Sequence, residues 1–339
     1  MLIFKKSIYY IALVLGTLLI LITLLSLIYD VRYWYLKALD FPRVQVLVGL
    51  VFCLVAFASV NRLWRTAAWL FTTGLVTAIV LQGYFVWPYT PLAANAVATA
   101  NASEVQKNRS FSVLLANVLM KNRNDTAMLQ AVTAANPDIV LFMETDAWWV
   151  SKLRPIEKRY PYTVLHPLDN TYGMALYSKL PLSQTEVKFL SQERVPSIHT
   201  TVTLPNGTSF LLHAVHPVPP KPSKHPDNVG QKEEELLKVG QMVAKRKIPT
   251  VVAGDFNDVA WSNTSRLFGT SSRLGDVRIG RGLYNSFDAT SPILRWPLDH
   301  AYVSEEFEVL RLEQLPKVGS DHFPILVVLT LKQEAAAIH

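Results

Sequence analysis

Three long apolar stretches dominate the first ninety residues of the chain. Each is about long enough to cross a bilayer, which takes roughly 17–25 residues. Aromatic residues cluster near their ends, as in Tyr33–Trp34–Tyr35, and this is the pattern of the membrane–water interface. The pattern predicts a transmembrane region over residues 1–87, with spans at about Ser7–Ile28, Val44–Val60 and Ala67–Trp87.

The rest of the chain reads as a linker, a strand-rich domain and a short tail. Residues 88–109 are rich in Ala, Thr and Asn without clear periodicity, so we interpret them as a linker. Residues 110–333 form the predicted domain and 334–339 the tail. Short apolar runs in the domain are bounded by Gly, Pro or polar residues, as in buried strands. They are FSVLLANV, DIVLFMETD, YGMALYSK, SFLLHAVHP, TVVAGDFN, PLDHAYVS and GSDHFPILVVLTL.

Two amphipathic segments interrupt these strands. The segment NDTAMLQAVTAANP has Asn124 or Asp125 as its N-cap and Pro137 beyond its end. The segment NVGQKEEELLKVGQMVAKRK places apolar side chains on one side and charges on the other. Because strands dominate and strict βαβ alternation is missing, we expect an α+β sandwich with helices on its outer faces.

Composition and charge narrow the classes of function. The hydrophobic fraction of 50% is high for a soluble domain, and the excess lies in the predicted spans. The net charge of +7 also comes mostly from the first hundred residues, which leaves the soluble part close to neutral. This argues against a heavily basic nucleic-acid binder. The single cysteine, Cys53, lies in a predicted span, so no intrachain disulfide can form.

Basic residues beside the spans predict the orientation of the chain. The side with more Lys and Arg normally stays in the cytoplasm, which puts the N-terminus inside and, after three spans, the C-terminal domain outside. In a bacterial cell the protein would be a multi-pass inner-membrane protein with its soluble domain in the periplasm. Four basic residues lie on one side of the spans (Lys5, Lys6, Arg62 and Arg65) and three on the other (Arg32, Lys37 and Arg43).

Polar side chains stand where the predicted strands end or begin. A carboxylate buried in mid-strand would be costly unless it were paired, whereas at a strand end it can face a cleft. If these strand ends share one rim, their carboxylates, carboxamides and imidazoles suit a phosphate ester and a hard divalent cation, Mg²⁺ with Mn²⁺ as the alternative. The set is Asn117, Glu144, His216, Asp255, Asn257, Asp299, Asp321 and His322.

The order of these motifs resembles that of the endonuclease/exonuclease/phosphatase superfamily. The resemblance covers about Ser110 to Leu331 and points to a membrane-anchored, bacterial-type member. The superfamily includes deoxyribonuclease I, apurinic endonucleases, neutral sphingomyelinases and inositol polyphosphate 5-phosphatases. It implies a four-layered, deoxyribonuclease I-like α/β sandwich. The motifs that carry it are ANV, LFMET, YGMALYS, HAVHPVPP, GDFND, PLDHAYVS and GSDHFPI.

The resemblance also implies roles for the metal-binding side of the site. Glu144 is similar to the metal-binding glutamate of the family, with Asn117 beside it as a further ligand of the metal or of the substrate phosphate. Asp321 would lie near the same metal. Asp255 resembles the carboxylate that orients or deprotonates the attacking water.

A second group of residues is implied to act on the scissile phosphate. Asn257 resembles the ligand of a phosphate oxygen. His322 is similar to the histidine that contacts the phosphate, and Asp299 would orient its imidazole. His216 matches a further catalytic and phosphate-contacting histidine, with His213 as the alternative because the alignment there can slip by three positions.

Together these observations predict a membrane-anchored, Mg²⁺-dependent phosphoesterase that uses in-line attack by an activated water on a phosphodiester or phosphomonoester. The substrate stays open between nucleic acid and a phospholipid head group, as in the sphingomyelinases, and a tethered cleft near the bilayer favours the lipid. The alternative from another class is a non-catalytic membrane scaffold that binds phosphorylated ligands. No protein partner is predicted.

Overall fold

The computed structural model describes residues 2–29, 33–101, 106–219 and 231–332. Its N-terminal part contains three long helices, each long and apolar enough to cross a membrane, which confirms the helical and apolar character predicted for this region. A short helix, α2, lies between the first two. The bounds are α1 (Leu2–Leu25), α2 (Trp34–Lys37), α3 (Arg43–Val60) and α4 (Thr66–Val86).

A buried polar network joins the three long helices at one end of the bundle. Arg43 has no exposed surface. Its Nη1 donates to Oε1 of Gln82 at 3.0 Å and its Nη2 pairs with Asp40. Nε2 of Gln82 in turn donates to Oγ1 of Thr23 at 3.0 Å. The guanidinium also lies 3.9 Å from the ring centre of Phe85. A buried charge needs such a partner, and here Asp40 neutralises Arg43.

The soluble domain is built from two six-stranded sheets. The first has the strand order β11-β12-β1-β2-β4-β3 and the second β5-β6-β7-β8-β10-β9. The bounds are β1 (Ser110–Asn117), β2 (Ile139–Met143), β3 (Tyr162–His166), β4 (Met174–Ser178), β5 (Leu182–Lys188), β6 (Ser197–Thr203), β7 (Ser209–Ala214), β8 (Thr250–Asp255), β9 (Gly275–Asp276), β10 (Asp299–Val303), β11 (Phe307–Gln314) and β12 (Ile325–Leu331).

Apolar side chains fill the space between the two sheets. Val113, Leu115 and Leu141 of the first sheet share one buried cluster with Leu212 and Val251 of the second. Alternate strand residues face opposite sides of a sheet, and the outer faces are apolar as well. This explains why the central strands are apolar throughout their length and were recognisable in the sequence.

Helices cover the two outer faces. Met128 and Trp149 pack against the first sheet, while Val239 and Phe268 pack against the second. The result is a four-layered sandwich with helices outside two central sheets, which confirms the fold predicted from the sequence. The covering helices are α5 (Asp125–Ala135), α6 (Ala147–Leu153), α7 (Gln231–Ala244) and α8 (Asn263–Ser272).

The segment expected to be a linker is folded onto the domain over residues 88–101. Tyr89 is buried and its hydroxyl donates to the carbonyl of Ala260 at 2.7 Å. Val97 belongs to the inter-sheet core. The backbone of Ala100 donates to the carbonyl of Val309 at 3.0 Å. The segment is therefore held against the domain and is not a freely flexible tether. The side chains that hold it are buried at isolated positions, so they leave no helical or strand periodicity in the sequence.

Some predicted features lie outside the described residues. They include residues 102–105 of the expected linker, the first positions of the second amphipathic segment at 228–230, and the tail at 334–339. The helix α7 is described from Gln231, and α5 begins one residue after Asn124. The side chain of Asn124 caps α5 by accepting from the backbone of Ala127 at 3.3 Å.

Candidate active site

The strand order brings the polar strand ends to one rim of the sandwich. The strands β1 and β2 run parallel, with Asn117 opposite Met143, so Asn117 lies beside Glu144, the next residue after β2. In the second sheet β8 and β10 are antiparallel, and Asp255 at the end of β8 pairs with Asp299 at the start of β10. Both sheets therefore deliver their polar ends to the same side.

Asn117 connects the two sheets across this rim. Its Nδ2 donates to Oε1 of Glu144 and to Oδ2 of Asp255, both at 3.0 Å. Its Oδ1 accepts from the backbone of Leu119 at 2.9 Å. This arrangement fixes the amide orientation, because only the NH₂ group can donate to two carboxylates. Glu144 and Asp255, over a hundred positions apart in sequence, therefore face one pocket.

His322 and Asp299 form a hydrogen-bonded pair at the same place. Nδ1 of His322 lies 2.8 Å from Oδ2 of Asp299. Ser286 and Ser320 position the pair, since their hydroxyls accept from the backbones of Asp299 and His322, each at 3.0 Å. Burial alone would lower the pKa of His322, but the carboxylates of Asp299 and Asp255 raise it to about 10. The imidazole is therefore protonated at neutral pH.

Asp255 is a fully buried carboxylate that faces two imidazoles. Its Oδ2 lies 3.6 Å from Nε2 of His322 and 3.7 Å from Nε2 of His216. Its Oδ1 accepts from the backbone of Asn257 at 2.7 Å. Burial raises the pKa of Asp255, and the positive charge of His322 opposes that shift. A carboxylate with a raised pKa is a better base for water than an exposed one.

The structure brings His216 to the site and leaves His213 away from it. His213 lies in β7, where its Nδ1 is 2.6 Å from Nδ1 of His199. His216 follows the end of β7 and lies on the wall of the cleft. The choice between these two histidines is therefore made by position: only His216 faces Asp255.

The backbone around Asp255 adopts two unusual conformations. Gly254 has a φ of +146°, and a Cβ added there would lie 2.0 Å from the carbonyl oxygen of Val215. Asn257 has a φ of 53°, and its Nδ2 donates to the carbonyl of Pro217 at 2.9 Å. The strand end β8 is therefore pressed against the segment after β7, which places Asn257 beside His216. Backbone strain of this kind is common at functional sites.

A cleft of about 880 Å³ opens beside these residues. Glu144, His216 and Asn257 line it together with Tyr172 and Lys121. Burial, followed by the charges of Glu144 and Asp255, raises the pKa of Tyr172 to about 12, so its hydroxyl stays protonated. The cleft therefore offers carboxylates for a cation and several donors for an anionic ligand on one wall.

The family comparison agrees with this geometry. The sequence model of the endonuclease/exonuclease/phosphatase family matches residues 114–322, which is more than half of the 339-residue chain. The chain belongs to the endonuclease/exonuclease/phosphatase family. Members of this family hydrolyse phosphate esters, so the pocket described above is the expected place for such chemistry. No curated protein matches the chain.

Solved structures of endonuclease/exonuclease/phosphatase proteins share the fold at low sequence identity. TDP2 of D. rerio, complexed with a single-strand DNA product, has a TM-score of 0.55 and 16% identity, covering 65% of this chain and 99% of its own. The catalytic domain of human Nocturnin, with bound sulfate, has a TM-score of 0.54 and 18% identity; the match covers 67% of this chain and 95% of that domain. A family protein from Bacteroides thetaiotaomicron has a TM-score of 0.52 and 18% identity; the match covers 68% of this chain and 98% of its own. These likenesses support the sandwich architecture.

The donor set of this family domain fits a divalent cation. Burial raises the pKa of Asp321, and repulsion from Glu144 and Asp255 adds to the shift. The carboxylates of Glu144, Asp255 and Asp321 repel one another unless a cation lies between them. Their oxygen atoms are the ligands that Mg²⁺ prefers. Asp255, Asp299 and His322 also offer ligand atoms within 4.8 Å of one another. We favour the Glu144 side, because Asp299 and His322 already bind each other.

Sequence reasoning missed several residues that support the site. Phe287 packs on the imidazole of His322 with 5.0 Å between ring centres. Tyr172 lies 5.5 Å from the ring of His216, and Sδ of Met143 accepts from the backbone of Asp255 at 2.9 Å. Tyr172 precedes Gly173 in the motif YGMALYS, and this position was the signal from which its role could have been predicted. Phe287 stands in a loop without a motif, so no sequence pattern pointed to its role.

Proposed function

We propose that this family member is a membrane-anchored, divalent-metal-dependent phosphoesterase that hydrolyses phosphodiester or phosphomonoester bonds with an activated water. One observation carries the proposal. The amide of Asn117 holds Glu144 and Asp255 in one pocket, and the Asp299–His322 pair lies within 3.6 Å of that pocket's buried carboxylate. A scaffold that only binds phosphorylated ligands would not need a buried carboxylate beside a protonated imidazole.

The residues divide the work of in-line displacement between them. Asp255 would accept the proton of the attacking water, because its pKa is raised and its Oδ2 faces the cleft residue His216. Protonated His322, held by Asp299, would donate a hydrogen bond to a phosphate oxygen and stabilise the charge that develops there. The bond from phosphorus to the leaving oxygen would break as the water attacks, and the departing alkoxide would take its proton from solvent. His216 and Asn257 would bind the remaining phosphate oxygens from the cleft wall.

Glu144 and Asp321 are the residues that would hold the cation, with Mg²⁺ as our first choice and Mn²⁺ as the alternative. When bound, a divalent cation neutralises charge on phosphate oxygens and lowers the pKa of a coordinated water. Asn117 would act mainly by orienting Glu144 and Asp255, because both ends of its carboxamide are engaged. A direct contact of Asn117 with metal or phosphate would require one of those bonds to open.

We also infer that the three helices anchor the protein in a membrane with the domain outside the cytoplasm. Lys5, Lys6, Arg62 and Arg65 surround one cavity at the end of the bundle away from the domain. The other end carries one basic residue fewer in the sequence, with Arg32, Lys37 and Arg43. This asymmetry supports a cytoplasmic N-terminus and, in a bacterium, an inner-membrane location with a periplasmic domain.

The proposal is tested by replacing Glu144 and His322 separately in the full chain. We expect Glu144→Ala and His322→Ala each to lower Mg²⁺-dependent hydrolysis of bis(p-nitrophenyl) phosphate by at least about a hundredfold. EDTA should abolish the activity of the unmodified chain, and added Mg²⁺ should restore it.

Glu313→Ala is the matched control, because Glu313 is an exposed carboxylate whose Oε2 lies 3.6 Å from Nη1 of Arg311, away from the cleft. It should keep full activity. If either active-site variant hydrolysed the diester as fast as the control, with circular dichroism showing a folded protein, the assignment of the site would be wrong.

A further inference from the structure

A hairpin at the active-site rim presents two adjacent apolar side chains to the outside. It comprises residues 287–296, and at its tip Ile293 is 73% exposed and Leu294 is 51% exposed. Large apolar side chains of a soluble domain are seldom this exposed as neighbours, and such patches commonly mark a surface that contacts a membrane or a partner.

The base of this hairpin touches the catalytic pair. The backbone of Phe287 donates to the carbonyl of Trp296 at 2.9 Å, and Phe287 also forms a bridge with His322. The backbone of Ala289 donates to the carbonyl of Asp321 at 2.7 Å. The same ten-residue segment therefore supports the catalytic imidazole at one end and exposes Ile293 at the other.

The tip of the hairpin lies at the level where a bilayer would end. Nε2 of Gln45 donates to the carbonyl of Ile293 at 3.1 Å. Gln45 stands in the first turn of α3, whose 18 residues are about 27 Å long and so only just span the hydrocarbon core. If α3 spans a membrane, both ends of so short a helix lie at the membrane interfaces. Phe41, just before α3, also packs on Trp296 with ring centres 5.8 Å apart.

Local hydrogen bonds hold the tip in this exposed shape. Oδ1 of Asp288 accepts from the backbone and the hydroxyl of Thr290 at 2.7 and 2.6 Å. The hydroxyl of Ser291 accepts from the backbones of Ile293 and Leu294 at 3.3 and 2.8 Å. These bonds fix the turn, so the apolar side chains cannot fold back without breaking them.

The helical bundle is attached to the active-site rim itself. Nε1 of Trp261 donates to the carbonyl of Asp40 at 2.7 Å, and Trp261 lies in the loop that follows Asp255. The hydroxyl of Tyr89 donates to Ala260 in the same loop. If the bundle spans a membrane, the rim that carries the catalytic residues is therefore held next to the bilayer rather than at a variable distance.

We propose that the 287–296 hairpin inserts its tip into the membrane interface and that the substrate is a phosphoester in the head group of a bilayer lipid. The proposal rests on the phosphoesterase function and the membrane anchoring proposed above. It narrows the substrate to bilayer lipids, which are present at the membrane surface where the active-site rim is held. Hydrolysis of DNA or RNA in preference to lipid is the competing outcome.

The substrate class is tested with the full chain reconstituted in phosphatidylethanolamine–phosphatidylglycerol vesicles with Mg²⁺. Release of phosphate or phosphorylated head group from these lipids is compared with hydrolysis of bis(p-nitrophenyl) phosphate and of a single-stranded DNA oligonucleotide. We expect turnover of the vesicle lipid that Glu144→Ala removes. Hydrolysis of the soluble diester or DNA with intact lipid would overturn the lipid assignment alone, whereas inactivity on all three would contradict the phosphoesterase function as well.

The hairpin is tested by the pair of variants Ile293→Asp and Ile248→Asp. Ile248 is also exposed, at 36%, but it lies just before β8 at the rim opposite Asp255. We expect Ile293→Asp to lower the ratio of lipid turnover to soluble-diester turnover by about fivefold or more, because a carboxylate resists entering the interface. Ile248→Asp should leave the ratio unchanged. Equal ratios in the two variants would overturn the role of the hairpin.

Depth of insertion gives a readout that needs no activity. Cys53 is replaced by Ala, and Ile293→Cys or Ile248→Cys carries an environment-sensitive fluorophore. Quenching by spin-labelled lipid should be strong at position 293 and weak at 248. Equal, weak quenching at both positions would show that the tip stays in water and would contradict the proposal.

Discussion

At the scale of single residues, Asp299 shows how one buried carboxylate sets the chemistry of the site. Burial lowers the pKa of His322, and the charge of Asp299 is the main reason why this pKa nevertheless rises to about 10. Its hydrogen bond of 2.8 Å also fixes which nitrogen of the imidazole points toward Asp255. Removing the charge while keeping the shape therefore separates electrostatics from packing.

We expect Asp299→Asn to lower kcat toward bis(p-nitrophenyl) phosphate by about a hundredfold or more, with a smaller change in KM. The reason is that an amide neither stabilises the imidazolium nor selects its orientation. Steady-state kinetics of the full chain measure the effect. Asp125→Asn, at the first turn of α5, serves as the control with unchanged kinetics. Full activity of Asp299→Asn would remove Asp299 from the proposed mechanism.

Gly254 illustrates a second residue-scale requirement, the close approach of two backbones. We expect Gly254→Ala to destabilise the domain by more than about 2 kcal/mol, because the new Cβ would meet the carbonyl of Val215 at 2.0 Å. Gly207→Ala is the matched comparison, since its φ is +88° with nothing within 4 Å. It should cost about 1–2 kcal/mol from conformation alone. Equal losses in thermal unfolding would mean that the clash relaxes freely.

At the scale of elements, the strands β6 and β7 carry a buried histidine pair that has no place in the catalytic site. Nδ1 of His199 lies 2.6 Å from Nδ1 of His213, and Nε2 of His199 is 2.8 Å from the hydroxyl of Ser197. Burial lowers the pKa of His199 to about 3 and that of His213 to about 4, with a contribution from the charge of Lys188. Both imidazoles are therefore neutral in the folded protein.

This pair predicts a loss of stability in mild acid. Unfolded histidine takes up a proton below a pH of about 6.5, whereas these two in the folded protein do not until the pH approaches 4 to 3. Unfolding therefore becomes more favourable as the pH falls through this window, by up to about 3 kcal/mol between pH 6.5 and 5. Thermal unfolding of the detergent-solubilised chain at the two pH values measures the change.

The double variant His199→Leu with His213→Leu is the control for this effect. It should lose markedly less stability between pH 6.5 and 5 than the unmodified chain, because the linked protonation is gone. An identical pH dependence in both proteins would show that the histidine pair is not the cause of the acid sensitivity.

The elements also show what the sequence can predict and why. The central strands were recognisable because they are buried on both faces, and α5 because its N-cap and apolar face agree. The edge strand β5, the two-residue β9 and the seven-residue α6 were not, since they are short or polar. The site was predictable because chemistry-bearing residues recur at strand ends. The packing of Val97 and Phe287 was not, because single buried side chains leave no periodic pattern.

At the scale of the whole molecule, the helical bundle and the sandwich domain are connected by specific contacts rather than by a flexible segment. Trp261, Tyr89 and Phe41 join the two parts through hydrogen bonds and ring packing. Burial of Val97 continues the attachment along the domain. A rigid attachment has a functional consequence: it fixes the height and orientation of the active-site rim relative to the helices, and hence relative to any bilayer that they span.

This arrangement makes the orientation of the chain in the membrane measurable with two single-cysteine variants. In a Cys53→Ala background, Glu186→Cys reports on the domain, because Glu186 is 62% exposed on β5, and Lys5→Cys reports on the opposite end of the bundle. We expect a membrane-impermeant maleimide to label position 186 in intact spheroplasts and position 5 only after permeabilisation. The reverse pattern would place the domain in the cytoplasm. It would then restrict the substrate to cytoplasmic phosphoesters, including lipids of the inner leaflet, because the same contacts would hold the rim against that face of the membrane.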